Sequence, residues 1–218
     1  MWKNINVIGG NENAVVHLLK VINYCCHDEN KKILLIDLKK TFTIEKNIKK
    51  TLVEGAEFYS IDTMLIICVA KKITKKLSKK FKLFDYVVFF DVSSFIPETT
   101  NNLWIVEDTQ KIIELGADKY LANLFHILQK YKQITPTKLE NFILYNFLNN
   151  QIESIRAKTA IAEAINLPIR IINNVPEKPV FDSKNVFLSS IFSNSSKEIT
   201  EYKKNETMIK EAMKNIQE

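Results

Sequence analysis

The chain is expected to fold as an α/β protein, a mainly parallel twisted sheet with helices on both faces, in one domain spanning residues 1–218. Three observations predict this. Strand-type runs alternate with helical patterns along the whole length, which calls for right-handed crossovers between parallel strands. Two runs, Ile33-Leu34-Leu35-Ile36 and Tyr86-Val87-Val88-Phe89-Phe90, are apolar at every position, as strands covered on both faces must be. Each of these closes on an aspartate, Asp37 or Asp91, while the first strand-type run closes on Gly9-Gly10.

In chain order, residues 5–8 form a short strand signal ended by the two glycines. From Asn13, read as an N-cap, Val15, Leu18, Leu19 and Ile22 fall at helical spacing. The strand at 33–36 follows a polar break. Residues 43–52 read as a short basic helix with Gly55 at its exit, and 57–61 as a further strand. For the next segment a strand over 64–70 competes with a helix over 63–80. The stripe Ile66, Val69, Ile73, Leu77 favours the helix, with Lys71, Lys72, Lys75, Lys76, Lys79 and Lys80 on its solvent side. The strand at 86–90 is the strongest in the chain, and 103–106 repeats its pattern more weakly. Two helical pieces broken near Gly116, a strand over 142–145 closing on Asn146, a helix over 152–165 and a strand over 169–175 before Pro176 complete the alternation. Ser195 and Glu198 form a capping box for a last helix, in which Ile209, Ala212, Met213 and Ile216 share a face.

Composition narrows the class. A hydrophobic content of 46% is enough for a buried core, and the formal charge is +6, from 31 Lys+Arg against 25 Asp+Glu. The three cysteines, Cys25, Cys26 and Cys68, make neither a disulfide framework nor a metal-binding pair, which points to a reducing compartment. A strand signal close to Met1 leaves no expectation of a signal peptide, and no apolar run is long enough to span a bilayer, so the expected location is cytoplasmic. His17, His27 and His126 lack metal-ligand spacing, and no metal site is expected. Cys25 and Cys26 read as helix packing residues.

In an open parallel sheet, ligands sit at the carboxyl ends of the strands. Here those ends carry Gly9, Gly10, Asp37, Asp91, Asn146 and Pro176. A strand running through glycines into a helix is the layout in which backbone N–H groups cradle a phosphate. An aspartate at a strand end also commonly caps the turn that follows. The loop and the two aspartates together favour a nucleotide-and-magnesium ancestry.

These residues, in this order and spacing, resemble the ParA/MinD group of deviant P-loop ATPases, and the likeness covers most of the chain. Its first loop, K-G-G-x-G-K-[ST], is matched by Ile8-Gly9-Gly10-Asn11-Glu12-Asn13-Ala14, and its D-x-D by Asp37-Leu38-Lys39. The Walker B strand corresponds to Val87 through Asp91, the base-reading Asn to Asn146, and the strand-then-Pro element to Ile171 through Pro176. The resemblance implies a three-layer P-loop NTPase architecture with a nucleotide site at Gly9, Gly10, Asn11, Asn13, Asp37, Asp91, Asn146 and Pro176.

The departures bear on activity. Asn13 stands at the phosphate-binding lysine, Ile8 at the lysine that reaches across the family's dimer, and Ala14 at the magnesium-ligating hydroxyl. Shifting the loop by two residues puts Val16 at the lysine position, so the loss does not depend on alignment. Glu12 replaces a glycine, and its charge about 4 Å from a phosphate oxygen would repel by roughly 4 kcal/mol at an effective dielectric near 20. Lys39 replaces the second switch aspartate. Phosphoryl transfer rests on positioning and charge neutralisation, so little or no ATP hydrolysis is expected and no catalytic residue is assigned. No cofactor is expected, ATP or ADP with magnesium being what the intact family site would hold.

The resulting expectation is a non-catalytic ParA/MinD-like positioning or assembly factor, for pilus or secretion machinery (as in TadZ/CpaE-like members) or for a mobile element. The alternatives are a DNA partition or conjugation protein and a slow ATPase that binds nucleotide atypically. The expected partner is a second copy or another protein of the same machinery. Lys71, Lys72, Lys75, Lys76 and Lys79 are the expected contacts to nucleic acid or another anion, and a peripheral membrane contact through the last helix ranks behind packing on the sheet.

Overall fold

The computed structural model describes residues 2–9, 12–27, 29–42, 44–90, 102–134, 138–146, 151–165, 169–173, 196–214 and 216. The elements run β1 (Lys3–Ile8), α1 (Glu12–His27), β2 (Ile33–Asp37), β3 (Lys50–Val53), β4 (Ala56–Ser60), β5 (Leu65–Val69), α2 (Lys75–Lys80) and β6 (Tyr86–Phe90). They continue with β7 (Asn102–Asp108), α3 (Thr109–Leu115), α4 (Ala117–Ile134), β8 (Lys138–Asn146), α5 (Gln151–Ala164), β9 (Ile169–Asn173) and α6 (Ser196–Lys214). A short 3-10 turn, Phe81–Leu83, links α2 to β6.

One sheet takes all nine strands in the order β3-β4-β5-β2-β6-β1-β7-β8-β9. From β5 to β9 every pairing is parallel, and the hairpin β3–β4 is added antiparallel to the edge of β5. The parallel strands β2 and β6 are buried at every residue, as their unbroken apolar runs predict. Val7 of β1 and Asp37 of β2 both lie opposite Phe90 of β6, so these three central strands end level, while β7 runs on from Ile105, opposite Ile8, to Asp108.

The sheet separates two cores. On one face Ile5, Val7, Leu35, Val88 and Val106 pack under α1 and α6. On the other, Ile8, Leu34, Phe89, Ile105 and Leu144 pack under α2, α3, α4 and α5. The apolar face of the last helix is buried, with Ile209 and Ala212 at 0% exposure and Met213 close to it; Ile216 is also buried but lies beyond the end of the helix at Lys214. That face joins the α1 core, the packing role preferred for it over a membrane-facing one.

Three local expectations are corrected. The basic helix over 43–52 does not form. Residues 50–53 are β3, and Glu54 and Gly55 both take positive φ (54° and 80°), making the two-residue hairpin turn that right-twisted strands favour. The helix over 63–80 is also wrong. Residues 65–69 are β5, inserted between β4 and β2, and only Lys75–Lys80 is helical. Leu65, Ile67, Cys68 and Val69 are all buried, which a one-sided helix on the surface would not allow; the run of β-branched residues was a buried strand. Third, α1 begins at Glu12, so Asn13 lies inside its first turn and is not the N-cap.

Candidate functional site

The site lies at the carboxyl ends of β2, β6, β1, β7 and β8. At its centre Gly9 has φ +77°, a backbone that side chains resist. A Cβ on Gly9 would stand 3.1 Å from the Val106 carbonyl oxygen and 3.3 Å from Glu107 Oε2. The glycine is therefore required both for its conformation and for the close approach of β7. Gly10 and Asn11 lie outside the described residues, as do Asp91 and Pro176. Asn13 is placed as backbone in the first turn of α1. The next residue, Ala14, is fully buried in the α1 core, at the position where the resemblance puts a magnesium-ligating hydroxyl.

Asp37, last in β2, is also fully buried. Its Oδ1 accepts from the Lys39 backbone N–H at 3.0 Å, and its Oδ2 from that of Phe42 at 3.1 Å. Both carboxylate oxygens thus organise the loop leaving β2, the turn-capping role open to any strand-terminal aspartate. Lys39 is exposed there. Asn146 ends β8 and pairs in register with Asn173 of β9. Beside it, the Thr109 hydroxyl donates to the Tyr145 carbonyl at 3.2 Å, tying α3 to β8. His17 of α1 is buried with Nδ1 3.3 Å from the Tyr145 hydroxyl, a packing role.

The residue that sequence reasoning missed is Glu107. It is 2% exposed at the carboxyl end of β7, one strand from Gly9. Its Oε2 accepts from Lys111 Nζ at 2.9 Å and its Oε1 from the Asp108 N–H at 3.1 Å. Burial, and then the neighbouring Glu107 carboxylate, push the Tyr120 phenol well above its ordinary range. Asp108 follows and caps α3, its Oδ1 accepting from the Gln110 N–H at 2.9 Å, and burial raises its pKa. The signal was present: Val106-Glu107 repeats the pattern of an apolar strand closing on an acid, and Lys111 stands one helical turn beyond it. A cavity of about 340 Å³ adjoins this cluster, lined by Ile8, Gly9, Ile105, Glu107, Lys111 and Tyr120 among others.

The lysines expected to contact an anion do not share one helix face. Lys71 and Lys72 lie in the turn after β5, and Lys75, Lys76 and Lys79 on α2. Among the described residues no group of three His, Cys, Asp or Glu is placed to hold a metal ion, and no helix is long and apolar enough to cross a membrane.

With the geometry in place, comparison with known proteins bears on the fold. No protein-family model and no curated protein matches the sequence. Cobyrinic acid a,c-diamide synthase from Mycobacterium smegmatis superposes with a TM-score of 0.55 at 12% identity, covering 88% of this chain and 94% of that one. The same synthase with bound ADP and magnesium gives 0.53 at 13% identity over equal shares. The chain shares the fold of this synthase, a mainly parallel α/β sheet with helices on both faces. The cell division protein MinD from Aquifex aeolicus superposes with a TM-score of 0.48 at 14% identity, covering 93% of this chain and 95% of that one. At these identities the likeness is one of fold, and what the site does has to come from its own residues.

Proposed function

We propose that this chain is a non-catalytic protein on a ParA/MinD-type fold, acting as a positioning or assembly factor. The machinery it serves is a pilus or secretion apparatus or a mobile element. The observation that carries the reading is the first turn of α1. Where the family's loop offers a lysine and a hydroxyl to phosphate and magnesium, this helix offers Asn13 and an alanine buried in the core. Putting a hydroxyl at position 14 places a polar group among apolar neighbours, so that position serves packing. Asp37 supports the same reading, because both of its oxygens already accept hydrogen bonds from the loop backbone. The residues present do not fit a magnesium nucleotide, and no step is assigned through one. Gly9, Gly10, Asn11, Asn13, Asp37, Asp91, Asn146 and Pro176 are then the descendants of a nucleotide site. Without a nucleotide to join two copies, the homodimer or hetero-complex of the proposed role depends on direct protein contacts.

Isothermal titration of the protein with ATP and magnesium tests this. The expected result is no saturable heat and no phosphate release. Micromolar binding accompanied by turnover would overturn the proposal. N13K/A14T asks whether the frame is repairable; a closed pocket predicts no gain in nucleotide affinity.

A further inference from the structure

Residues 63–80 form a strand, a turn and a short helix, and this sets where their lysines lie. They do not form a strip. They gather at one corner of the sheet, where the β3–β4 turn meets the start of α2. Between residues 39 and 82 the chain has twelve lysines against four acids, more positive charge than the +6 of the whole molecule. At this corner lies a cavity of about 210 Å³ with an apolar floor that includes Ala56, Ala70 and Leu77. Lys71, Lys72 and Lys80 stand around it. Lys80 leans over the Phe58 ring, its Nζ 5.9 Å from the centroid, and Lys76 pairs with Glu54 at 3.3 Å. Lys71 and Lys72 are exposed and have no ion-pair partner among the described residues.

From this geometry we propose that the corner is a docking site for an acidic segment of a partner protein that carries one apolar anchor side chain. Charge complementarity selects carboxylates for the lysine rim, and the apolar floor, sized for a single side chain, selects the anchor. A nucleic-acid backbone fits less well. It presents a regular line of phosphates and no apolar knob, whereas these lysines surround a hollow with an apolar floor. The partner's anchor would remove the floor from water, and the rim would steer its approach and give the contact a salt dependence.

The probe is a fluorescein-labelled peptide of Asp and Glu with one central Leu, followed by anisotropy against the full chain. It is expected to bind, to weaken about tenfold when its Leu is changed to Ser, and to weaken about tenfold or more on K71E/K72E. Both lysines are exposed, so the double variant is expected to keep the wild-type circular dichroism and midpoint, which are measured alongside. A labelled DNA duplex is run in parallel. Equal affinity for the Leu and Ser peptides, tighter binding of the duplex, or indifference to K71E/K72E would each overturn the proposal. Failure here leaves the reading of the nucleotide site untouched, since none of these residues belongs to it.

Discussion

Truncating Lys111 would leave the Glu107 carboxylate, 3% exposed, without its counter-ion. Breaking a buried pair costs several kcal/mol when the remaining charge is stranded. Here the Lys111 side chain is 49% exposed and the carboxylate keeps the Asp108 N–H. K111M should therefore lower unfolding stability by about 1–2 kcal/mol, less than a fully buried pair would. E107Q in the K111M background should recover most of the loss, because a neutral amide needs no ammonium. Guanidinium denaturation of the three variants measures this; a K111M curve that overlays wild type would mean the ammonium is effectively solvated. Glu107 matters to the site through Gly9, whose missing side chain leaves room for its carboxylate.

At the scale of elements, α6 is held on α1 by Ile209, Ala212 and Met213, with Ile216 just beyond its end, all buried. Ile209→Ala should cost about 2–5 kcal/mol of stability, the range for removing a buried aliphatic side chain. An exposed terminal helix would tolerate the change, so an unaltered denaturation midpoint would count against the docked placement. The same scale shows what could be read in advance. Strands β2 and β6 were legible because burial on both faces demands apolar residues at every position, a pattern no surface helix needs. Between 63 and 80 the pattern was ambiguous, since Ile66, Val69, Ile73 and Leu77 fit a helical stripe although they belong to a strand, a turn and a short helix. The hairpin turn at Glu54-Gly55 lacks the common Asn-Gly signal, so its strands were not both recognised. At the site, strand-terminal Gly9 and Asp37 were visible as punctuation after apolar runs. Glu107 was not, because its importance depends on β7 lying beside β1, a neighbour relation that spans about a hundred residues of sequence.

For the molecule as a whole, pH sets a boundary. Burial pushes the Cys68 thiol up to about 12 from 9.0 and raises Cys26 as well. The hydrogen bond to Glu57 pushes the Tyr59 phenol up to about 12 from 10.0. Each group holds its proton more tightly folded than unfolded, so its contribution is complete below the unfolded value and fades as pH rises towards the folded one. Stability should be level near neutrality and fall between about pH 9 and 12, read as a decreasing guanidinium midpoint. Cys68→Ala should flatten part of that slope; a midpoint unchanged across the window would contradict the buried placement of the thiol.

The antiparallel hairpin β3–β4 closes one end of the sheet. Parallel strands can be extended indefinitely by hydrogen bonding, and a sheet this wide has to be told where to stop. Its outermost strand, β3, is only four residues long, begins at Lys50 directly after Lys49, and turns back at once. Short, lysine-bearing borders discourage the addition of another chain's backbone. Whatever joins the molecule at that end must therefore recognise side chains, which leaves the lysine-rimmed hollow beside the hairpin as a place of attachment without making the sheet a template for polymerisation.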